Sequence, residues 1–230
     1  MRDKKRAIGL CVSLVLIALT LPAWAANAGN DEEVLRNANT VLMAMLQSKD
    51  IPESALAKAD CIIVLPNVKK FAVGIGGTGG RGPMSCRQGK NFSGKWSAPA
   101  FYTIGGASAG LQLGGTSTDF VLLVMSNGAV EKVMDGKVKV GSDVTAAAGP
   151  GATAGGKVGG EDILTYARAK GLFAGVSLDG STLDPDDKGN TRLYGDQHSP
   201  KDILTSMKVT PSAGGKAFMT TLDKTPKHAE

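Results

Sequence analysis

The sequence is poor in the residues that enzymes use for nucleophilic and metal-assisted chemistry. It has two histidines, His198 and His228, and neither belongs to a recognisable set of nucleophile and metal-ligand residues. An H-E-x-x-H motif and a cysteine/histidine ligand cluster are both absent. We therefore predict that the protein is not an enzyme and that it holds no metal ion and no cofactor.

The net positive charge is small outside the first 25 residues. These residues hold four basic side chains and one acidic one, so without them the formal charge of the 230-residue chain falls from +5 to +2. The remainder has no long Lys/Arg block and no aromatic residues interleaved with one, which are the features of nucleic-acid binding. We therefore exclude nucleic acid as a partner and retain a membrane surface.

Residues 1–25 have the pattern of a secretory signal peptide. A basic segment precedes the uncharged run 8–21, and Ala23-Trp24-Ala25 supplies the small-x-small cleavage site. The run of about 14 residues is shorter than the roughly 20 that cross a bilayer as a helix, which disfavours the alternative of a retained anchor. We predict cleavage after Ala25 and export, with the periplasm as the expected compartment.

Cysteine is rare as well. Once residues 1–25 are removed, only Cys61 and Cys86 remain, and a cysteine pair in an exported protein is a candidate disulfide. Closing a loop of this length stabilises a fold by about 3 kcal/mol in the chain-entropy model. Two free buried thiols are the alternative.

Glycine, in contrast, is abundant. Most of the 31 glycines fall between Gly74 and Gly195, within or beside apolar segments, which favours strands joined by tight turns. The first part of the chain is helical by its spacing of apolar residues: residues 31–49 predict an amphipathic helix capped by Asn30 or Asp31, and residues 52–59 predict a shorter one.

The rest of the chain alternates strand and helix signals. Residues 128–134 fit a helix or a strand, 141–160 stay ambiguous, 203–207 form the centre of a short helix introduced by Ser199-Pro200, and the tail from 208 is weakly helical. The predicted fold class is α+β, a mainly antiparallel glycine-rich sheet with flanking helices. The predicted strands are 61–65, 71–75, 84–87, 119–125 and 172–178, and residues 101–113 predict a glycine-kinked pair of strands.

Three segments imitate ligand-binding motifs. Residues 74–79 satisfy G-x-G-x-x-G, but Gly82-Pro83 follows where a nucleotide-binding helix should begin, so we predict a glycine-rich hairpin. Residues 151–157 imitate a phosphate-binding loop but lack the following Ser or Thr. Residues 184–189 begin like a calcium loop but lack its later ligands, so we predict an acidic surface turn.

Several segments together resemble the SYLF domain, a lipid-binding family. Their order and spacing match the family across residues 34–204. They are ADCIIVLP at 59–66, WSAPAF at 96–101, GLQLG at 110–114, DFVLLVM at 119–125, AGP at 148–150, Tyr166, KGLFAGVSL at 170–178 and Tyr194-Gly195.

The resemblance implies a fold and a domain division. It implies an α+β domain in which two BON-like units pack together, and binding rather than catalysis. We accordingly divide the chain into a signal peptide (1–25), a SYLF lipid-binding domain (26–208) and a weakly structured C-terminal tail (209–230).

A candidate lipid-binding surface follows from local charge. No acidic residue occurs between Cys61 and Asp119, whereas cations and aromatic residues do, and this mixture suits a membrane interface. The alternative is that Trp96 and Phe101 are core residues and the cations an ordinary solvated face. The predicted lipid-binding residues are Lys69, Lys70, Phe71, Arg81, Arg87, Lys90, Lys95 and Trp96.

The predicted function is an exported protein that associates with anionic phospholipid membranes. Actin, a partner of some fungal members of the family, is predicted to be an unlikely partner, because an export signal and an acidic helix replace the basic amphipathic N-terminus of the eukaryotic members. The alternative function is an envelope structural or interaction protein that binds a protein partner or self-associates through its sheet.

Overall fold

The computed structural model describes residues 23–149, 161–169, 172–173, 178–206 and 208–229. The predicted signal peptide, apart from its last three residues, lies outside this part of the chain. So do the phosphate-loop imitation at 151–157 and most of the predicted strand at 172–178. At residues 23–29, 71–75, 108–114 and 172–173 only the backbone is described.

The described part contains six α-helices and seven strands. The helices are α1 (Ala23–Gln47), α2 (Glu53–Lys58), α3 (Asn127–Asp135), α4 (Asp187–Tyr194), α5 (Pro200–Thr205) and α6 (Ala213–Leu222). The strands are β1 (Cys61–Cys86), β2 (Ala100–Val124), β3 (Val138–Lys139), β4 (Ala146–Ala148), β5 (Ile163–Ala169), β6 (Leu172–Phe173) and β7 (Thr182–Pro185).

One long hairpin dominates the sheet. β1 and β2 pair antiparallel from Cys61 opposite Val124 to Met84 opposite Ala100. A straight strand as long as β1 would span about 80 Å, but a disulfide joins its two ends, whose Cα atoms are 4.0 Å apart. β1 therefore curls back on itself, and the separate short strands predicted at 61–65, 71–75 and 84–87 are parts of this single strand.

Glycine permits the curl at the place where the two halves of β1 meet. A Cβ atom on Gly82 would lie 1.8 Å from the carbonyl oxygen of Val64, and one on Gly80 would lie 2.7 Å from Cγ2 of Val68. Register shifts between Leu65 and Val68, and again between Ala72 and Gly74, add local bends of the kind that β-bulges produce.

The other strands extend both ends of the hairpin. β5 pairs with β2 along residues 119–124, and β7 pairs with it along residues 102–105, both antiparallel. β3 joins β7, β6 joins β5, and β4 runs parallel to β5. The predicted α+β class and the mainly antiparallel sheet are thus confirmed.

The start of β1 is buried on both faces. Cys61, Ile63 and Leu65 belong to a core cluster with α3 and α5, whereas Ile62 and Val64 face a second cluster with α1, α2 and α6. Because neither face meets water, the run 61–65 is continuously apolar instead of alternating.

The helices agree with the sequence at some ends and differ at others. α5 begins at Pro200 with Ser199 as its cap, as predicted. Residues 127–135 are helical, with Ser126 as the cap, which settles that ambiguity. α1, however, begins at Ala23 and runs through the predicted cap at Asn30 and Asp31. The tail is also more ordered than predicted, because it contains the ten-residue helix α6, which packs against α1.

Candidate functional site

The predicted lipid-binding residues differ in how far solvent reaches them. Lys69 and Lys70 lie along the curl, roughly 25 Å by strand length from Cys61. Lys69 is exposed and donates to Oγ of Ser117 at 3.0 Å. The half-buried Lys70 ammonium lies 5.9 Å from the ring centre of Phe120, and burial lowers its pKa. The side chain of Phe71 lies outside the described residues.

Arg81 is held by interior contacts. Its Nη2 donates to Oδ1 of Asp31 at 2.6 Å, its Nε donates to Asp186, and its guanidinium stacks 4.1 Å from the ring centre of Phe101. Arg192 binds the same Asp31 carboxylate through two further bonds of 2.7 and 2.9 Å. This ion cluster joins α1, β1 and α4, so Arg81 serves the fold and is not free to meet a head group.

Asp31 is the centre of that cluster. Its side chain is fully buried, and burial by itself raises its pKa. Hydrogen bonds and charge from Arg192 and Arg81 lower the pKa by more, so that it lies below its usual value. The sequence indicated Asp31 as a possible helix cap and did not reveal this role, because Arg81 and Arg192 are distant in the sequence.

Arg87 and Trp96 are buried under the C-terminal residues. Trp96 is 2% exposed and Arg87 is 6% exposed, and the guanidinium carbon lies 4.3 Å from the ring centre. Arg87 also donates through Nη2 to the carbonyl oxygen of Pro226. Of the two interpretations of Trp96, the structure therefore supports the core residue. Arg87 is buried as well, whereas Arg81 is half-buried and engaged by carboxylates.

Two further contacts fix the C-terminal segment, residues 224–229. Nε2 of His228 lies 3.0 Å from Oδ1 of Asp60, and the amide of Ala229 donates to the carbonyl oxygen of Ala57 at 2.8 Å. Burial raises the pKa of Asp60, while His228 and Arg87 oppose that effect in part. The tail thus covers the end of the hairpin.

Exposed lysines surround this covered end. Lys90 and Lys95 lie in the connection between β1 and β2, and both are exposed. Asn91, next to Lys90, lines a cleft together with Lys58 of α2. Asp60, which lines the same cleft, is 5% exposed and is occupied by His228.

A fourth lysine comes from the tail. Lys227 is exposed and lies two residues before Ala229, which bonds to Ala57 beside Lys58. We call Lys58, Lys90, Lys95 and Lys227 the disulfide-end surface. No ion pair between these lysines and an acidic group occurs among the described residues. Sequence reasoning missed Lys58 and Lys227, because only the docking of the tail brings them near the hairpin.

The predicted disulfide between Cys61 and Cys86 is present. It lies directly below the disulfide-end surface, since Arg87 follows Cys86 and its amide bonds to the carbonyl oxygen of Asp60 at 2.9 Å. The disulfide therefore holds together the two chain segments from which Lys58 and Lys90 project.

A groove of about 550 Å³ lies beside this surface. We call it the three-helix groove, because it is formed by the last turn of α1, by α2 and by the end of α6. Lys49 and Lys224 are among its polar residues, together with Gln47, Glu53, Thr221 and Thr225. Its apolar lining consists of Met43, Leu46, Ile51, Pro52, Leu56 and Pro226.

The motif segments carry no catalytic geometry. The G-x-G-x-x-G run at 74–79 lies within β1, so no helix opens after it. The sequence also contains a G-x-S-x-G pattern at 106–110, but Ser108 pairs with Gly76 inside the hairpin instead of standing at a strand-to-helix turn. At 184–189 the acidic residues end β7 and begin α4, where Asp186 caps the helix by accepting from the amide of Gly189.

The described part of the chain has neither a cluster of metal ligands nor a membrane-spanning helix. No group of three or more His, Cys, Asp or Glu side chains there is placed to hold a metal ion. No helix in the same part combines the length and apolar character needed to cross a bilayer.

Comparison of the sequence with known proteins identifies a matching family and several relatives. A family model described as "Ysc84: Las17-binding protein actin regulator" matches residues 105–225. The chain is 36% identical over 175 residues to the SH3 domain-containing protein PJ696.02 of Schizosaccharomyces pombe, an alignment that covers 73% of this chain and 40% of the relative.

Two further relatives show similar identity to this chain. Protein YSC84 of Saccharomyces cerevisiae is 34% identical over 171 residues, 71% of this chain and 36% of the relative. The human SH3 domain-containing YSC84-like protein 1 is 32% identical over 177 residues, 75% of this chain and 51% of the relative. The chain thus spans about a third to a half of the length of these relatives.

These comparisons correct one prediction. The description of the matched family names actin regulation and binding to Las17, and another similar yeast protein is named LAS seventeen-binding protein 3. The prediction that actin is an unlikely partner, drawn from the N-terminal segment alone, is therefore wrong.

Proposed function

We propose that this chain, which belongs to the Ysc84/SYLF domain family, is an exported, non-enzymatic protein. We propose further that it binds anionic phospholipid membranes through its disulfide-end surface. One observation carries the proposal: four exposed lysines, Lys58, Lys90, Lys95 and Lys227, surround one end of the hairpin without an acidic partner among the described residues.

The expected energy is sufficient for reversible membrane association. Each lysine near an anionic surface contributes about 1 kcal/mol. Such attraction acts over a Debye length of about 10 Å at 0.1 M salt, so binding through these lysines weakens as salt is added. The half-buried Arg81 and the buried Arg87 do not contribute to this attraction, because their charges are engaged by contacts within the fold.

Export is part of the proposal. The disulfide between Cys61 and Cys86 supports an oxidising compartment, and the pattern of residues 1–25 supports cleavage after Ala25. In bacterial cells that produce the protein, we expect it in the osmotic-shock fraction with Ala26 as its first residue. A cytosolic protein that retains Met1 in mass spectrometry would contradict export.

Vesicle sedimentation tests membrane binding. We expect the purified protein to pellet with vesicles that contain phosphatidylglycerol and to stay in solution with pure phosphatidylcholine vesicles. Replacing Lys58, Lys90, Lys95 and Lys227 by Gln should weaken pelleting at least ten-fold.

A matched control separates this surface from general charge. Replacing Lys139, Lys188, Lys208 and Lys216 by Gln removes the same charge from exposed positions elsewhere, and we expect it to leave most of the pelleting intact. Equal losses in both variants, or no pelleting of the unmodified protein, would contradict the proposal.

The description of the family favours a second candidate function, which is binding of a protein that regulates actin or of actin itself. Sedimentation of the purified protein with actin filaments, with and without the phosphatidylglycerol vesicles, tests it. Pelleting with filaments alone would favour this second function, and the absence of pelleting with filaments would contradict the direct-actin form of it.

A further inference from the structure

We propose that the three-helix groove binds the alkyl chain of an anionic amphiphile, with the anionic group between Lys49 and Lys224. That this amphiphile is a membrane phospholipid rests on the proposed function. Binding of a chain in the groove is a separate property of α1, α2 and α6 and is tested separately.

The size and lining of the groove fit a chain. Its volume of about 550 Å³ lies within the range of small-molecule sites. Met43 and Leu46 project from the last turns of α1 as half-buried side chains, and Ile51 and Leu56 lie beneath them as buried ones. A flexible apolar ligand would complete the burial of Met43 and Leu46, which the protein itself leaves half covered.

The same volume argues against a helical peptide as the occupant. A helix is about 10 Å across and rises 5.4 Å per turn, so the groove encloses little more than one turn. A partner helix would therefore leave most of its apolar face uncovered, whereas a single alkyl chain fits within the groove.

The cations of the groove select the charge of the ligand. Lys49 lies two residues after the end of α1 with φ of 56°, and the turn that holds it is closed by the amide of Asp50, which donates to the carbonyl oxygen of Met45 at 3.1 Å. Lys224 stands on the side of the groove formed by α6. Two lysines against the single carboxylate of Glu53 favour an anionic head group over a cationic one.

The groove is continuous with the disulfide-end surface. Pro226 lines the groove, its carbonyl oxygen accepts from Arg87, and Lys227 of the disulfide-end surface follows it. A phospholipid held in the groove with its anionic group between Lys49 and Lys224 thus lies beside the lysines of the disulfide-end surface.

Calorimetric titration with dodecanoate tests the inference, with dodecyltrimethylammonium as the probe of the same chain and opposite charge. We expect one saturable site for dodecanoate and binding of the cation that is at least ten-fold weaker. Two variants, Met43→Gln with Leu46→Gln and Lys49→Gln with Lys224→Gln, should each weaken dodecanoate binding at least ten-fold. The control variant, Lys139→Gln with Lys216→Gln, should bind as the unmodified protein does.

Each outcome decides the question. Circular dichroism establishes that the variants are folded, which is expected because Met43, Leu46, Lys49 and Lys224 are not fully buried. Absence of dodecanoate binding, or equal binding by the groove variants, overturns the inference. A dimer of the unmodified protein that the Met43/Leu46 variant loses would assign the groove to a second copy and also overturn it.

The two proposals fail in different ways. The variant of the four disulfide-end lysines retains the groove, so we expect it to bind dodecanoate normally while it fails to pellet with anionic vesicles. If the unmodified protein binds dodecanoate but does not pellet, the membrane function fails and the groove stands. If it pellets but does not bind dodecanoate, the groove inference fails and the membrane function stands.

Discussion

Gly82 lies against the backbone carbonyl of Val64, although both residues belong to β1. A Cβ atom on Gly82 would lie 1.8 Å from that oxygen, which no rotation of a side chain relieves, because the obstacle is backbone. This contact is where the strand meets itself, and it brings the disulfide and the disulfide-end surface to one end of the fold.

Replacing Gly82 by Ala should open the curl and destabilise the protein. Overpacking of this kind costs about 1–3 kcal/mol or more, because the two halves of β1 must move apart. Urea unfolding measures the loss. Gly79→Ala is the matched control, since a Cβ there meets nothing within 4 Å on the same strand. Equal stability of the two variants would contradict the close approach.

Removing the disulfide should destabilise the fold without abolishing it. The bond closes a separation of 25 residues, for which the chain-entropy model gives about 3 kcal/mol. We expect the Cys61→Ala, Cys86→Ala variant, and the unmodified protein in reductant, to unfold at lower urea concentration by the same amount. An unchanged midpoint in reductant would show that the bond contributes no stability.

The ion cluster around Asp31 should make stability depend on acid. Because the folded pKa of Asp31 lies below the unfolded one, its contribution is present above about pH 4 and is lost as the pH falls through the folded value. Asp31→Asn removes the carboxylate that Arg81 and Arg192 share, while Arg81 keeps Asp186 and both arginines stay partly solvated, so the change should cost about 1.5–3 kcal/mol at neutral pH.

Unfolding free energies measured from pH 6 down to pH 2.5 check this prediction. The variant should lose part of the acid dependence of the unmodified protein, whereas Glu33→Gln, at an exposed position of the same helix, should change neither quantity noticeably. An Asp31→Asn variant as stable as the unmodified protein would show that the cluster is not needed.

The contact between His228 and Asp60 should hold the C-terminal segment in place. In His228→Ala we expect the amide hydrogen of Ala229, which bonds to Ala57, to exchange roughly ten times faster, the factor that about 1.4 kcal/mol produces. Hydrogen exchange read by mass spectrometry measures it. His198→Ala, away from the tail, is the control, and equal protection in both variants would contradict the anchoring role.

Asp60 adds a pH dependence of opposite sign to that of Asp31. Burial raises its folded pKa above the unfolded value, so the folded state binds the proton more readily. The contribution of Asp60 to stability therefore decreases as the pH rises through that interval. Asp60→Asn should flatten this trend, which the same pH series of unfolding measurements detects.

Local signals predicted a substantial part of the fold. Ser199-Pro200 marked the start of α5, the continuous apolar run at 61–65 marked a buried strand, and the two cysteines after residue 25 marked the disulfide. Each of these predictions depends on residues that are neighbours in the sequence or on the number of cysteines. The length of β1 was not predictable in this way, because glycines in a sequence usually indicate turns. In β1 they instead allow distant backbone to approach the strand closely, and the sequence does not show which segment approaches.

The candidate site was predicted only in part. Lys90 and Lys95 were identified from local charge, and they are exposed as expected. Arg81 and Trp96 carry the same local signal, but Arg81 is half-buried in an ion cluster and Trp96 is a core residue, because Asp31 and the C-terminal segment reach them from far away in the sequence. Charge and aromatic content do not distinguish a surface from a core contact.

The sequence by itself determined the family, the α+β class, the pairing of the cysteines and the acid-free composition of the hairpin, since these follow from residue types and their order. The tertiary structure alone decided which cations face solvent, that Lys58 and Lys227 join Lys90 and Lys95, and that α1, α2 and α6 enclose a groove. The physical reason is that the course of a strand of 26 residues depends on the close contacts that its glycines permit. The residues on the other side of those contacts are distant in the sequence, so local patterns do not reveal them.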